Sequence, residues 1–141
     1  MIENQKYASK TSIALMLLGL LPFVFTIYYL QKYDFEHGIA IFIHYSAIIL
    51  SFIGAINWGR NYVEKSSKIF YLSVLPATIA FSAFFFSSPN NLVVLVSGYF
   101  IAWLIDVYLL IKNKEFFMYL AMRTIITISA IYLHIYLIQK L

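Results

Sequence analysis

Five long apolar runs occupy most of this sequence and leave few choices for its fold. They cover residues 12–30, 38–58, 69–87, 92–111 and 116–138. A helix of about 20 apolar residues crosses the hydrocarbon core of a bilayer. The runs lack the alternating pattern of barrel strands, and a backbone inside lipid must satisfy its own hydrogen bonds. The sequence therefore predicts an all-α, five-span transmembrane bundle, formed as a single integral membrane domain over residues 1–141.

The composition excludes several other classes of protein. Hydrophobic residues make up 62% of the chain and charged residues only 11%, which is more apolar surface than one small soluble core could bury. Because there is no cysteine, a disulfide scaffold, a thiol enzyme and a thiolate metal site are excluded. The formal net charge of +4 does not indicate nucleic-acid binding, since the short loops leave no room for a basic domain outside the membrane.

Basic residues are distributed unequally between the two sides of the predicted bundle. Seven fall on the side of the N-terminus, namely Lys6, Lys10, Arg60, Lys65, Lys68, Lys112 and Lys114, and two on the other side, Lys32 and Lys140. By the positive-inside rule this predicts an N-terminus inside and a C-terminus outside. We expect the first run to be a retained helix because no small-x-small cleavage site follows it. The absence of cysteine and of a presequence favours a bacterial inner (cytoplasmic) membrane over a mitochondrial inner membrane.

Two charged residues lie well inside the predicted spans. Asp106 is about 8 Å from the inner end of the fourth span, and Arg123 is about 10 Å from the same end of the fifth. The short connection between these spans makes them antiparallel neighbours. A lone charge at this depth is costly, so we expect Asp106 and Arg123 to form an intramembrane ion pair. The pair either fixes helix register or acts as a gate, proton relay or anion site.

Small and polar residues follow one stripe on several spans, which indicates a polar seam inside the bundle. The predicted seam residues are His44, Ser51, Gly54, Asn57, Trp58, Thr127 and His134. Close packing of helices explains such stripes as well as a binding role does. Pro22 and Pro76 each remove one helical amide donor, so we expect a kink in the first and third spans.

The histidines give one weak indication of a cofactor. His44 and His134 lie at similar depth on separate spans, where they could ligate a haem axially, although interhelical hydrogen bonding is the simpler interpretation. We expect no metal site, since such a site needs three or four well-placed ligands. The sequence contains no H-E-x-x-H, G-x-S-x-G, Walker or dinucleotide motif, so we expect no enzymatic activity.

Three segments resemble a known family of small multi-pass membrane proteins, domain of unknown function 3429. They are LGLLPFVF at residues 18–25, YSAIILSFIGAINWG at 45–59 and YLAMRTIITI at 119–128. The resemblance covers nearly the whole chain, and the family's signature positions would be Pro22, Tyr45, Ser51, Phe52, Gly54, Trp58, Gly59, Arg123 and Thr127. Two positions depart from the family: Ala55 replaces a second glycine, and Asn57 stands where a basic residue is common. The resemblance implies an integral membrane protein without an assigned activity.

These observations lead to three hypotheses about function. The first is a non-enzymatic interaction or assembly protein that packs against a membrane-protein partner or forms a homo-oligomer in the lipid bilayer. The second is a small transporter or channel gated near Asp106 and Arg123. The third and weakest is a haem- or quinone-binding membrane protein that uses His44 and His134.

Overall fold

The computed structural model describes residues 11–64, 66–112 and 116–141, without the side chains of residues 61–64. Within these residues it contains five helices that are long and apolar enough to cross a membrane. We name them α1 (Thr11–Lys32), α2 (Phe35–Glu64), α3 (Ser67–Ser82), α4 (Asn90–Leu110) and α5 (Phe117–Ile138). A short 3-10 segment, Ala83–Phe85, extends α3. The all-α architecture predicted from the sequence is confirmed.

The helix ends lie close to the predicted spans, with α2 as the exception. The predicted apolar run ends at Trp58, but the helix continues to Glu64. This extension is polar, so the length of the apolar run underestimates the length of the helix. Lys6, Lys10, Lys65 and Lys114, which carry part of the prediction of membrane orientation, lie outside the described residues.

Each helix packs against the next one in the chain, and α2 also packs against α4. This arrangement brings the end of α2, the start of α3 and the end of α4 together at one end of the bundle. We call it the basic end, because Arg60, Lys68 and Lys112 lie there. Lys32 and Lys140 lie at the opposite end.

The core of the bundle is apolar and is formed mainly by α2 and α4. Fully buried side chains from these helices include Phe42, Leu50, Leu92, Leu95 and Tyr99. Many other large apolar side chains are exposed, on all five helices. In a membrane these exposed side chains contact lipid, so the described bundle and its surface indicate an integral membrane protein.

α1 is interrupted at Gly19 and Leu20, where the chain forms a turn. A regular helix restarts at Leu21, with Pro22 in its first turn. Proline is well accommodated there because the first helical amides have no intrahelical partner. The interruption therefore precedes Pro22. In contrast, Pro76 lies inside α3 without interrupting the helix.

Candidate functional site

Three polar side chains from three helices meet in the half of the bundle nearer the basic end. Arg123 Nε donates to Asp106 Oδ2 at 2.8 Å, and Asn57 Nδ2 donates to Asp106 Oδ1 at 2.9 Å. The Arg123 and Asp106 side chains are only 8% and 4% exposed. We call Asn57, Asp106 and Arg123 the charged cluster. Both carboxylate oxygens accept a hydrogen bond, so the negative charge is compensated by one cation and one amide.

The helix periodicity explains how the cluster forms. Gly98, Ala102 and Asp106 follow each other at steps of four on α4, and all three are buried. On α5, Arg123, Thr127 and Ala130 are also buried on one face. The structure therefore places Asp106 and Arg123 in contact, as their predicted depths required, and adds Asn57 from α2.

A second polar group lies nearer the opposite end and centres on His134, which is fully buried. His134 Nδ1 lies 2.7 Å from the Ala130 carbonyl oxygen and must donate to it, because a carbonyl can only accept. In the neutral ring, Nε2 then accepts from the Ser46 hydroxyl at 2.7 Å. Tyr99 Oη donates to the Ser46 carbonyl oxygen at 3.0 Å. We call Ser46, Tyr99 and His134 the histidine cluster.

Aromatic rings enclose the histidine cluster. The rings of Phe42 and Phe23 lie 4.7 Å and 5.8 Å from the His134 ring, centroid to centroid, and the Tyr99 ring lies at 5.4 Å. Both ring nitrogens are already in hydrogen bonds. The His134 side chain is therefore a packed interhelical contact in this structure.

The two histidines of the haem hypothesis are not brought together. His44 is exposed, its Nδ1 donates to the Ala40 carbonyl oxygen, and its ring lies 5.4 Å from the Phe84 ring beyond α3. Ser46, two residues further along α2, is buried against His134. Among the described residues, no group of three or more His, Asp or Glu could hold a metal ion.

The predicted polar seam is divided between two faces of α2. Gly54 packs against the Ser73 backbone oxygen and the Pro76 ring of α3, and the Trp58 ring lies 4.8 Å from the Phe70 ring. Ser51 donates to the carbonyl oxygen of Ala47 on its own helix. Asn57 alone of the predicted α2 residues reaches the charged cluster. Gly54 and Trp58 thus serve the contact between α2 and α3.

The stripe of α2 that faces α4 and α5 is offset by one residue from the predicted seam residues Ser51, Gly54 and Trp58, and it includes Asn57. It consists of the buried residues Ser46, Leu50, Ile53 and Asn57. A shift of one residue turns a helix by about 100°. Ser46 and Tyr99 are not among the residues predicted from the sequence. The spacing of Ser46 and Asn57, eleven residues apart, is the signal that places Ser46 on this stripe.

One further contact fixes the interruption in α1. Tyr45 Oη donates to the Gly19 carbonyl oxygen at 2.8 Å. This carbonyl lies where the helical pattern of α1 breaks, so the tyrosine of α2 supplies a donor that the helix does not. Tyr45 is one of the positions that the family resemblance singles out.

A cavity of about 330 Å³ lies beside the charged cluster. Its walls come mainly from α1, α2 and α5 and are largely apolar, including Leu15, Phe52 and Ile56. Arg123 and Thr127 also line it. The charged cluster and this cavity together form the candidate functional site, with apolar walls and a small number of polar groups, as is typical of small-molecule sites.

Comparison with known proteins identifies the family of this chain. The family model described as "Protein of unknown function (DUF3429)" matches residues 8–138. Comparisons with curated proteins and with solved structures gave no match. Because the match covers nearly the whole chain, this protein belongs to the DUF3429 family.

Proposed function

We propose that this member of the DUF3429 family is a non-enzymatic membrane protein that assembles with other membrane helices through the outer face of α2. The observation that carries the proposal is His44, an exposed imidazole inside a membrane-spanning helix. It lies about 6 Å from the midpoint of the apolar run 38–58. Its neighbours on this face, Ile48 and Ala55, are exposed as well. The proposal includes no cofactor and no catalytic step.

The chemistry of His44 defines the partner. Nδ1 donates to Ala40, so Nε2 of the neutral ring is left as a hydrogen-bond acceptor. Polar groups in hydrocarbon are expensive unless they find a partner. The partner helix would therefore supply a donor near the middle of the membrane. It belongs either to another membrane protein or to a second copy of this chain.

Cross-linking in native membranes tests the proposal, because a chain without cysteine gives unambiguous single-cysteine variants. Ile48→Cys should cross-link through the proposed face, and adding His44→Phe should weaken the product. Ile128→Cys is the matched control, since Ile48 and Ile128 are 64% and 63% exposed on different helices. A product of twice the chain mass indicates self-association, and any other defined mass indicates a partner. Equal cross-linking of the two cysteine variants would contradict the proposal.

We also propose that the N-terminus lies inside and the C-terminus outside, in a bacterial inner membrane. The support is the excess of basic residues at the basic end, of which Arg60, Lys68 and Lys112 are described. Labelling intact cells with an impermeant maleimide tests this orientation. Lys140→Cys should react and Lys112→Cys should not; the reverse pattern would refute the orientation.

A small transporter or channel gated near Asp106 and Arg123 is the second candidate, and the cavity beside Arg123 is the observation that favours it. Water access to the cavity is the distinguishing property. Ala130→Cys lines the cavity and should react with a small water-soluble thiol reagent, whereas Leu95→Cys, buried in the core, should not. Protection of both positions would exclude this candidate.

A further inference from the structure

The cavity beside the charged cluster contains two polar atoms that the described protein leaves without partners. Arg123 Nη2 and Thr127 Oγ1 are buried and have no hydrogen-bond partner in the part of the chain that the structure describes. The two residues are 7% and 4% exposed, and both line the cavity. Leaving a buried donor unsatisfied is unfavourable, and native proteins rarely do so. The two atoms therefore point to something that occupies the cavity.

The hydrogen-bond chemistry of these atoms selects an oxygen acceptor. A guanidinium can only donate, and the threonine hydroxyl has a proton to donate as well. A single acceptor oxygen with two lone pairs could accept from both residues. Water would also accept these bonds, and Ser12, Tyr99 and Tyr119 add polar groups to the lining. Most of the cavity wall is nevertheless apolar, which favours a ligand with an apolar body over water alone.

The charge balance selects a neutral acceptor. Asp106 already compensates Arg123, and the second carboxylate oxygen is bonded to Asn57. An added anion would place an extra negative charge beside this compensated pair, and burying such a charge is costly. A carbonyl oxygen accepts both hydrogen bonds without adding charge.

The surroundings of the cavity favour a ligand whose remaining part is apolar. Leu15 of α1 and Phe52 of α2 line the cavity and are also exposed on the outside of the bundle. In a membrane that surface faces acyl chains. A volume of about 330 Å³ is at the lower end of the range of small-molecule sites, enough for a head group and the beginning of a chain.

We propose that this cavity binds the carbonyl end of a neutral, lipid-like molecule, which accepts hydrogen bonds from Arg123 and Thr127. The carbonyl belongs either to an acyl ester or to a quinone ring, because both combine a neutral acceptor oxygen with an apolar chain. Neither His44 nor Ile48 lines this cavity, so the two proposals can fail independently.

Binding of defined probes to the purified full-length protein in detergent, measured by calorimetry, tests the proposal. The probes are dioctanoylglycerol for the ester, decyl-benzoquinone for the quinone, decanoate for an anionic head and decane for an apolar body alone. We expect saturable binding of one or both carbonyl probes, with weaker binding of decanoate and decane. The stronger of the two carbonyl probes identifies the source of the carbonyl.

Two variants separate hydrogen bonding from apolar filling. Thr127→Val keeps the shape and removes the hydroxyl, and it should weaken carbonyl binding about threefold to tenfold. Thr78→Val is the matched control, since Thr78 is exposed on α3 and bonds the Leu75 carbonyl oxygen of its own helix. It should leave binding unchanged. Thermal unfolding confirms that each variant is folded.

Four outcomes would overturn the proposal. They are tighter binding of decanoate than of either carbonyl probe, equal binding of all four probes, an unchanged affinity in Thr127→Val, and no binding of any probe. The last outcome, together with a stabilised Thr127→Val, would mean that the cavity holds water or nothing.

Discussion

Removing one charge of the buried pair should be more harmful than removing both. Asp106→Asn keeps an oxygen that accepts from Asn57, but it leaves the Arg123 guanidinium without the carboxylate that now lies 2.8 Å away. Arg123→Met leaves the Asp106 carboxylate with Asn57 as the remaining donor among the described residues. We expect each single variant to lose about 3 kcal/mol in its free energy of unfolding. Both the cost of breaking a buried pair and the cost of a lone charge in a membrane helix are of this size.

The double variant Asp106→Asn/Arg123→Met contains neither charge. Replacing a whole buried pair by uncharged side chains of similar size is often close to neutral, so we expect a loss of about 1 kcal/mol. Additivity of the two single variants would give about 6 kcal/mol. The free energy of interaction between Asp106 and Arg123 should therefore be about 5 kcal/mol.

Reversible unfolding in mild detergent titrated with dodecyl sulfate, followed by helical circular dichroism, measures these free energies. Lys68→Met is the control: it removes an exposed charge at the basic end and should change stability by less than about 0.5 kcal/mol. A double variant that loses the sum of the two single losses would show that the residues do not act as a pair. Single variants as stable as the control would show that the charges are not buried.

Three further predictions concern packing and cofactors. Gly54→Ala should lower the free energy of unfolding by about 1–3 kcal/mol, because its Cβ would meet the Ser73 backbone oxygen. Gly59→Ala should not, since no atom of the described residues lies within 4 Å of its Cβ. His134→Phe should lose about 1–3 kcal/mol in the same measurement, because Ser46 loses the ring nitrogen that accepts from its hydroxyl. Finally, protein purified from native membranes should show no Soret band, and a haem absorbance in stoichiometric amount would contradict this.

The five helices could be predicted because a membrane span needs a run of apolar residues of a fixed length. The contact between Asp106 and Arg123 could be predicted for a related reason. Their depths follow from the rise per residue, and the short connection between α4 and α5 makes the helices neighbours. Both results depend on position along the helix axis, which a sequence specifies directly.

Rotation about the helix axis was harder to predict. Two adjacent stripes of α2 contain small or polar residues: one includes Ser46 and Asn57, the other Gly54 and Trp58. In lipid both stripes can be buried against protein, so polarity alone does not decide which neighbour each one contacts. The close approach of Gly54 to the backbone of α3 settles the rotation, and that contact depends on the whole bundle.

The interruption of α1 shows a similar limit. Pro22 indicates a break, but a proline in the first turn of a helix is compatible with regular structure from that point on. The break therefore precedes it, at Gly19 and Leu20. The donor that compensates it, Tyr45, comes from another helix, and no local pattern in α1 identifies such a partner.

The two polar groups in the bundle differ in how completely their hydrogen bonds are satisfied. In the histidine cluster both ring nitrogens of His134 have partners, and aromatic rings fill the space around them. In the half nearer the basic end, Arg123 Nη2 and Thr127 Oγ1 have no described partner and face a cavity. An ion pair that served only to fix helix register would stabilise the bundle more if it were packed as densely as His134. The cavity beside Arg123 is therefore a better place to look for a bound ligand than the ion pair itself.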